Sequence, residues 1–401
     1  MRLLWTARIS PMHSVVEAPR PILEPEATCD PKAEKGPAPE VSEIIDLFAG
    51  PGGLDMAAHV LGRSVTGIEW DDDACATRRA NGLDTRQDDV RKFGPQDFLG
   101  ARVLAGGPPC QTFTVAGSGT GRRALDQVIA YARRMAGGEN VRAELDAQDD
   151  PRTGLVLEPL RWILEALKLD RPYEVIVLEQ VPAVLPVWQE YRRLLEERGY
   201  SAECEVLHTE EFGVPQTRRR AILIARLRSA DTPLHPPVGM PVPTHHRFYK
   251  NRPRPAGDSK LESWVTMGEA LGRQDGFSVV SNYGTGGDPQ NRGRRTSDEP
   301  AFTVTGKVSR NRVVPAGQKP DPKKDGRFND RDAGRLQTFP PGYRWSGRAV
   351  AQQIGNAIPP RLGVHVLAAA LGLGRPEIEL ALKQLEHWQP PQRSGEEHTG
   401  S

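Results

Sequence analysis

The chain has 401 residues, which at about 150 residues per domain suggests two to three domains. Its 53 basic and 52 acidic residues nearly cancel, so a uniformly basic nucleic-acid binder is excluded and any nucleic-acid-binding face must be local. No apolar run reaches the roughly 20 residues of a membrane helix, and four cysteines without a CxxC pair support neither a zinc module nor a disulfide framework.

The two ends of the chain differ in composition from its middle. Residues 1–41 are rich in proline, with few bulky apolar residues after Ile9, so we expect a disordered tail there. An over-extended start of the chain would explain this composition equally well. Residues 389–401 predict a second disordered tail. The start of the chain lacks the continuous apolar stretch of a signal peptide, which together with reduced cysteines predicts a cytoplasmic protein.

Between the tails, predicted strands alternate with predicted helices. Apolar runs predict strands at 43–48, 64–69, 102–107 and 174–179. Amphipathic spacing predicts helices at 54–62, 71–82, 158–169 and 187–200. Residues 202–208 and 219–227 are typical of a closing antiparallel pair. Strands that alternate with helices predict an α/β fold with a doubly wound sheet.

The composition shifts at about residue 231. Residues 231–330 are rich in Pro, Gly, His and Arg, and they carry 16 basic against 11 acidic residues within a nearly neutral chain. We predict a separate small domain there, inserted between a main domain at 42–230 and a returning part at 331–388. The returning part regains regular structure in 332–340 and 351–372.

A glycine-rich turn follows the first predicted strand. Its three glycines are Gly50, Gly52 and Gly53. Glycines allow the backbone to approach a ligand closely, although one such turn is a weak signal. Glu69 closes the second strand, where a carboxylate can hold a ribose diol and Trp70 can cover a base. Asp89 stands where the next strand should end. Acidic groups at successive strand ends, without a phosphate-binding lysine, suit an adenosine ligand that lacks a pyrophosphate.

Cys110 lies in GGPPCQTF (106–113), directly after a predicted strand end. A free cysteine is usually a small buried hydrophobe. Here a rigid Pro-Pro turn would instead hold the thiol at a strand's carboxyl end, where ligands sit in open α/β sheets. A thiol is only a few per cent ionised at neutral pH, so a site that uses it must activate it.

Three further motifs have a structural and a functional interpretation. Glu179, in LEQV (178–181), ends an apolar strand where partial desolvation would let it carry a proton, although a capping or ion-paired carboxylate is more frequent. QTRRR (216–220) is either a solvated basic turn or a fork of donors for a phosphate or a base carbonyl. QIGNAIPP (353–360) could be an ordinary helix start.

Together and in this order, the motifs resemble those of the DNA cytosine-5 methyltransferase family of bacteria and phages, over about residues 43–372. The matching motifs are DLFAGPGG (46–53), GGPPCQTF, LEQV, QTRRR, RLQTFP (335–340) and QIGNAIPP. The resemblance implies a Rossmann-like S-adenosylmethionine-dependent methyltransferase domain, and a target recognition domain over the basic segment 231–330. It also implies the cofactor residues Asp46, Phe48, Gly50, Gly52, Gly53, Glu69, Trp70, Asp89, Pro109 and Asn356.

The resemblance further implies methylation of cytosine carbon 5 within a specific sequence of double-stranded DNA. Cys110 would attack carbon 6 of a flipped cytosine, and Glu179 would hydrogen-bond or protonate nitrogen 3. Arg220 would contact the base carbonyl, and Arg218 would support that contact and the neighbouring phosphate. Expected DNA contacts are Gln111, Arg122, Arg123, Gln216, Arg292, Arg294, Arg295, Thr303, Thr305, Arg310 and Arg312, which read guanine edges or hold phosphates. No metal is expected.

Two features depart from the family pattern. Position 180 is Gln where the family usually has Asn, which lengthens the neighbour of the catalytic carboxylate by one methylene. Residues 119–150 are longer than a minimal catalytic loop. They predict either a solvated surface helix or a mobile lid that closes through Arg122, Arg123, Arg133 and Arg134.

Two rival functions stay open from the sequence. One is a tRNA cytosine-5 methyltransferase on the same scaffold, which the sizeable basic segment disfavours. The other is a catalytically silent DNA-binding relative, which the intact Cys110, Glu179 and QTRRR set disfavours. We expect a monomer that acts on double-stranded DNA and not at a membrane. The sequence shows neither the DNA target nor whether a cognate restriction endonuclease accompanies the protein.

Overall fold

The architecture is a large mixed sheet between two layers of helices, with a small sheet beside it. The computed structural model describes residues 42–109, 119–147, 153–228, 237–281, 292–321 and 323–392. Residues 41–401 belong to one compact unit. Among the described residues, no helix is long and apolar enough to cross a membrane.

The strands and helices alternate through the first half of the chain, as the sequence predicts. The strands are β1 (Ile44–Leu47), β2 (Val65–Glu69), β3 (Thr85–Gln87), β4 (Val103–Gly106), β5 (Val175–Gln180), β6 (Tyr200–His208), β7 (Gln216–Thr217), β8 (Arg219–Leu227), β9 (Phe277–Val280), β10 (Arg294–Thr296), β11 (Ala301–Phe302) and β12 (Arg312–Pro315). The helices are α1 (Gly53–Val60), α2 (Asp72–Ala80), α3 (Gly119–Ala136), α4 (Arg142–Asp146), α5 (Glu158–Lys168), α6 (Leu185–Glu196), α7 (Met267–Leu271), α8 (Asp330–Leu336), α9 (Val350–Asn356), α10 (Pro360–Leu371) and α11 (Arg375–His387).

The large sheet has the strand order β3-β2-β1-β4-β5-β8-β6. Its first five strands are parallel, and β8 runs antiparallel to both β5 and β6. The predicted α/β fold and the predicted antiparallel pair are therefore confirmed. The strand order reverses between β1 and β4, and in open α/β sheets the ligand crevice lies outside the carboxyl ends of the strands at such a point.

The strands of the large sheet are buried on both faces because their sequences are almost continuously apolar. In β1, Ile45 and Leu47 face the core beneath α3, α5 and α6, whereas Ile44 faces the core beneath α1, α10 and α11. In β5, Ile176 and Val177 divide between the same two cores. This two-sided packing fixes the strand ends that carry the candidate site.

Within the segment 231–330, β10, β9 and β12 form a small antiparallel sheet in that order. This sheet packs on a third hydrophobic cluster. Phe277 and Val279 from β9 pack in this cluster with Val313 from β12. The cluster also takes Leu336 from α8 and Ile354 from α9, so it is continuous with the returning part of the chain. The domain boundaries at 231 and 331 stay predictions.

The long helix α3 packs one face against the core. Val128 and Ala132 are fully buried beside α6. On its flank, Arg133 pairs with Glu190 at 2.8 Å and Arg134 with Glu144 at 2.6 Å. These contacts hold the second half of α3 in place, so a lid in which Arg133 and Arg134 close over a base is not proposed.

Candidate active site

A cavity of about 640 Å³ opens at the carboxyl ends of β1, β2, β4 and β5. It is lined by eight of the ten predicted cofactor residues, namely Asp46, Phe48, Gly50, Gly53, Glu69, Trp70, Pro109 and Asn356. Glu179 and Arg220 line the same space. Asp89 lines a smaller cavity that shares Phe48, Glu69, Trp70 and Pro109 with the large one. The topology thus gathers residues from distant motifs into one crevice.

The glycine-rich turn carries its three glycines for different reasons. Gly50 and Gly52 have positive φ angles of 55° and 99°. Gly50 has open space where a side chain would begin, so the backbone there is exposed to a ligand. A Cβ at Gly52 would collide with Leu83, and one at Gly53 would collide with the carbonyl of Ile358. Gly52 does not line the cavity. Both Gly52 and Gly53 allow neighbouring residues to pack closely against the start of α1.

Beneath the turn lies a fully buried ion pair. Arg78 donates to both carboxylate oxygens of Asp55, at 2.6 and 2.8 Å, and neither side chain is exposed to solvent. Gly67 leaves room for the guanidinium, since a Cβ there would overlap it. Burial, followed by the nearby Asp55 carboxylate, raises the pKa of Asp46 well above its ordinary value. Asp46 lies in the cavity wall beside this ion pair.

Glu69 organises the strand end that faces the glycine-rich turn. Its Oε2 accepts from the backbone N–H of Gly50 at 2.8 Å. Its Oε1 accepts from the N–H groups of Trp70 and Asp71, also at 2.8 Å. These bonds fix the carboxylate at the rim, where spare lone pairs remain for a diol. The Trp70 ring is 61% exposed beside it, which is unusual for so large an apolar side chain.

Asp89 is held by Arg91. The Nη2 of Arg91 lies 2.5 Å from Asp89 Oδ2, and its backbone N–H also donates to the carboxylate. Because Arg91 stabilises the anion, the pKa of Asp89 is lowered. Asp89 is therefore a fixed negative acceptor at the end of the crevice.

Glu179 and Arg220 face each other across two adjacent strands. Arg220 Nε lies 2.5 Å from Glu179 Oε1, with both side chains mostly buried. Glu179 pairs with Ile222 in the β5–β8 ladder, which brings Arg220, two residues earlier, over the carboxyl end of β5. The sequence placed these residues 41 positions apart in separate motifs, and the antiparallel return of β8 brings them together.

Gln180 ties the end of β5 to the Pro-Pro turn. Its amide nitrogen donates to the carbonyl of Pro108, and its amide oxygen accepts from the N–H of Val181 at 2.5 Å. The side chain is 7% exposed. The extra methylene relative to Asn therefore spans the gap between the strand that carries Glu179 and the turn that precedes Cys110. Cys110 and Gln111 themselves lie outside the described residues.

Two members of QTRRR occupy positions unlike those expected. Gln216 is fully buried, donates to Leu336 O and Gln337 Oε1, and accepts from the N–H of Val304. Arg218 is 1% exposed. Its guanidinium donates to the carbonyls of Val304, Gly355 and Ala357 at 2.9 to 3.1 Å. We therefore replace the expected base and DNA contacts with a positioning role, since protein carbonyls occupy these donors.

The candidate DNA contacts in the basic segment divide into arginines held by partners inside the protein and side chains that stay accessible. Arg295 lies between the rings of Phe248 and Phe302, and burial lowers its pKa. Arg312 is buried and pairs with Asp325 at 3.4 Å. Thr303, Thr305, Arg292, Arg294 and Arg310 are accessible, although Thr303 Oγ1 donates to the carbonyl of Thr217 at 2.6 Å. DNA contacts by Arg295 and Arg312 are therefore not proposed. Arg123 is exposed, and the side chain of Arg122 lies outside the described residues.

One exposed basic stretch was missed by the sequence analysis. Residues 247–254 (RFYKNRPR) place Arg247, Tyr249, Lys250 and Arg252 at the surface. The sequence analysis counted charges over the whole segment 231–330, so it did not single out this short stretch among the surrounding histidines and prolines. Interleaved aromatic and basic residues would have been the recognisable pattern.

Comparison with known proteins assigns the fold and the motifs to a family. The model of a family described as C-5 cytosine-specific DNA methylase matches residues 42–135 and 142–371. The chain is similar to Type II methyltransferase M1.HphI of Haemophilus parahaemolyticus, with 26% identity over 83% of this chain and 87% of the relative. It is also similar to Type II methyltransferase M.AplI of Arthrospira platensis, with 26% identity over 80% of this chain and 82% of the relative. Among solved structures, the S. pombe Dnmt2 methyltransferase superposes with a TM-score of 0.53 and 15% identity, over 82% of this chain and 98% of the other.

Proposed function

Because the chain belongs to the C-5 cytosine-specific DNA methylase family, and is thus a DNA cytosine-5 methyltransferase, we propose that it acts on one specific sequence of double-stranded DNA through a covalent adduct of Cys110 with a flipped cytosine. One observation carries this proposal. The cavity brings the Glu69 rim and the Glu179–Arg220 pair together beside the Pro108–Pro109 turn that precedes Cys110. A methyl donor at the Glu69 rim and a methyl acceptor at the Glu179–Arg220 pair would therefore bind next to each other in one cavity.

The rim residues fit S-adenosylmethionine by their chemistry. The Glu69 and Asp89 carboxylates are held as acceptors for hydroxyl and amino groups, Trp70 and Phe48 offer apolar faces, and the backbone at Gly50 is open. Asn356 lies at the opposite wall, where Gln352 donates to its side-chain oxygen at 2.8 Å. When bound, the cofactor supplies an electrophilic methyl group. The residues of the chain bind and orient it and exclude water.

The catalytic side of the cavity acts on the base. Carbon 5 of cytosine is a poor nucleophile, and addition of the Cys110 thiolate to carbon 6 makes it electron-rich. Glu179 hydrogen-bonds or protonates nitrogen 3 and so stabilises the adduct, while Arg220 holds the carboxyl and the base carbonyl. After carbon 5 has accepted the methyl group, it loses its proton, the ring regains its double bond and the thiolate leaves.

A buried pair such as Glu179 and Arg220 cannot reach a base inside a duplex. The cytosine must leave the stack, at a cost of a few kcal/mol. The exposed cations of the 231–330 segment provide backbone contacts that offset this cost. We infer that the protein works as a monomer in the cytoplasm.

Transfer of labelled methyl groups to duplex DNA, followed by sequencing of the methylated positions, tests this function. Wild-type protein should place 5-methylcytosine at one recurring sequence. Cys110→Ala should lose turnover and keep most of its DNA affinity, with Cys204→Ala as the matched thiol control. A fully active Cys110→Ala enzyme would remove the adduct from the mechanism. Methyl transfer to transfer RNA in place of duplex DNA would contradict the substrate.

A further inference from the structure

The stretch 247–254, here called the basic ridge, is a cluster of exposed cations around one exposed aromatic ring. Tyr249 is 47% exposed. The guanidinium carbons of Arg247 and Arg252 lie 5.6 and 5.0 Å from its ring centroid. Cation–π contacts of this kind hold long side chains in place while their donors stay in water. The ring thus preorganises two guanidinium groups on the surface.

The ridge also lacks the carboxylate partners that arginines such as Arg134 and Arg193 have elsewhere in the described residues. Within the described residues, no ion pair connects Lys250 or Arg252 with an acidic side chain. Arg254, at the end of the ridge, is different because it pairs with Glu269 at 2.8 Å. The donors of Lys250 and Arg252 are therefore available to an anionic partner.

A hydrogen bond attaches the ridge to the large sheet. Arg247 Nη2 donates to Nε2 of His208 at 2.8 Å, and His208 is the last residue of β6. Burial, followed by Arg247 and Arg219, lowers the pKa of His208 to about 4, so the ring is neutral and can accept. The acidic neighbours of Arg247 are Glu210, which is buried, and Glu211.

The strand register gives the distance from the ridge to the catalytic pair. His208 pairs with Arg219 on β8, and Glu179 pairs with Ile222 on the same strand. His208 is therefore two strands across and three residues along from Glu179, or about 14 Å away. The ridge lies beyond His208 at the same edge of the sheet. At 3.4 Å per nucleotide, this span corresponds to roughly four to six nucleotides along one strand.

We propose that the basic ridge binds the phosphodiester backbone of duplex DNA several nucleotides away from the flipped cytosine, through Lys250, Arg252 and the Arg247–Tyr249 contact. The proposal rests on the proposed function, because it takes duplex DNA as the substrate. Phosphate contacts carry no sequence information, so the ridge positions the duplex without selecting the target.

The test compares binding of the full-length protein to two duplexes, one that the wild type methylates and one that it does not, over a range of salt concentrations. Lys250→Ala/Arg252→Ala should weaken binding about 10-fold on both duplexes. It should also reduce the slope of log affinity against log salt by about 2, close to 0.9 per lost phosphate contact.

Arg375→Ala/Lys383→Ala is the matched control, because it removes two exposed cations from α11 and should leave the slope unchanged. Tyr249→Ala should reproduce part of the loss, and Tyr249→Phe should not, because phenylalanine keeps the ring.

The possible outcomes distinguish a failure of the ridge proposal from a failure of the proposed function. If the wild type methylates duplex DNA and the ridge variant keeps the wild-type slope, the ridge proposal alone fails. A loss confined to the methylated duplex would mean that the ridge reads bases, which also overturns the proposal. If the ridge variant loses affinity for transfer RNA and not for duplex DNA, the partner is wrong. A wild type that neither binds nor methylates duplex DNA overturns both proposals.

Discussion

The catalytic edge of the large sheet and the basic ridge treat charge in opposite ways. At the edge, Glu179 and Arg220 are mostly buried and contact each other. On the ridge, Lys250 and Arg252 are exposed. Neither forms an ion pair with a carboxylate in the part of the chain that the structure describes. A buried group depends on its partner, so a change there has a large and non-additive effect. Each exposed cation contributes a small amount to the free energy of DNA binding, and these contributions are additive.

The strongest test of this difference is at Glu179. Under the proposed mechanism, Glu179→Gln removes the carboxyl group that assists nitrogen 3 and that pairs with Arg220, so we expect a loss of about 10³-fold in turnover. Single-turnover methyl transfer measures it. Glu174→Gln is the control, because Glu174 begins the same strand segment, is exposed and pairs with Arg102. Wild-type rates for Glu179→Gln would mean that another group assists nitrogen 3.

The next largest effect should come from Arg218, which is buried beside the catalytic edge. Arg218→Met removes the donors for three buried carbonyls, of Val304, Gly355 and Ala357. We expect a decrease of about 4 kcal/mol in the free energy of unfolding, measured by guanidinium titration. Arg228→Met, at the exposed end of β8, should change it by less than about 0.5 kcal/mol. If both variants are equally stable, the three buried hydrogen bonds of Arg218 do not stabilise the fold.

Glu210, which lies near Arg247 of the ridge, provides a pH-dependent test. Burial raises the pKa of Glu210 from 4.5 to about 7, so the folded protein keeps a proton that the unfolded chain releases. The stabilising effect of this proton is complete below pH 4.5 and is lost as the pH rises to 7 and above. Glu210→Gln should therefore match the wild type at pH 4.5 and exceed its unfolding free energy by at most about 3 kcal/mol at pH 8.

The comparison variant for Glu210 is Glu205→Gln, an exposed change on β6. A difference between Glu210→Gln and the wild type that is the same at pH 4.5 and at pH 8 would contradict the raised pKa of Glu210.

The smallest effect at the catalytic edge should come from Gln180. Gln180→Met keeps the volume and removes the hydrogen bonds to Pro108 and Val181. Because the turn then shifts relative to Glu179, we expect about a 10-fold lower kcat with an unchanged KM for DNA. Gln180→Glu, which keeps the acceptor for Val181 only, should fall between the two. A KM for DNA that rises by the same factor as kcat falls would indicate that Gln180 contacts the substrate.

Much of the fold and of the catalytic edge could be predicted from the sequence. Continuous apolar runs predicted β1, β2, β4 and β5, because strands buried on both faces need apolar residues at every position. Carboxylates at the ends of these strands indicated an adenosine ligand. Glu69 lies where that argument placed it, since the end of a parallel strand is set by local sequence. The role of each site residue stays a prediction.

The sequence could not decide which polar side chains are buried. In QTRRR, alternation indicates a common face and not a depth, and the partners of Gln216 and Arg218 come from residues 86 to 139 positions away. The same limit applies to Arg295 and Arg312, which look like DNA contacts by composition and are packed by Phe248 and Asp325.

The order and identity of the motifs were therefore determined by the sequence alone, and so was the family that they indicate. Only the tertiary structure decided that Gln180 spans to the Pro-Pro turn, that Arg218 supports backbone instead of substrate, and that 247–254 forms an exposed ridge. The physical reason is that burial and hydrogen-bond partners arise when distant segments pack together, whereas strand and helix patterns are encoded over a few neighbouring residues.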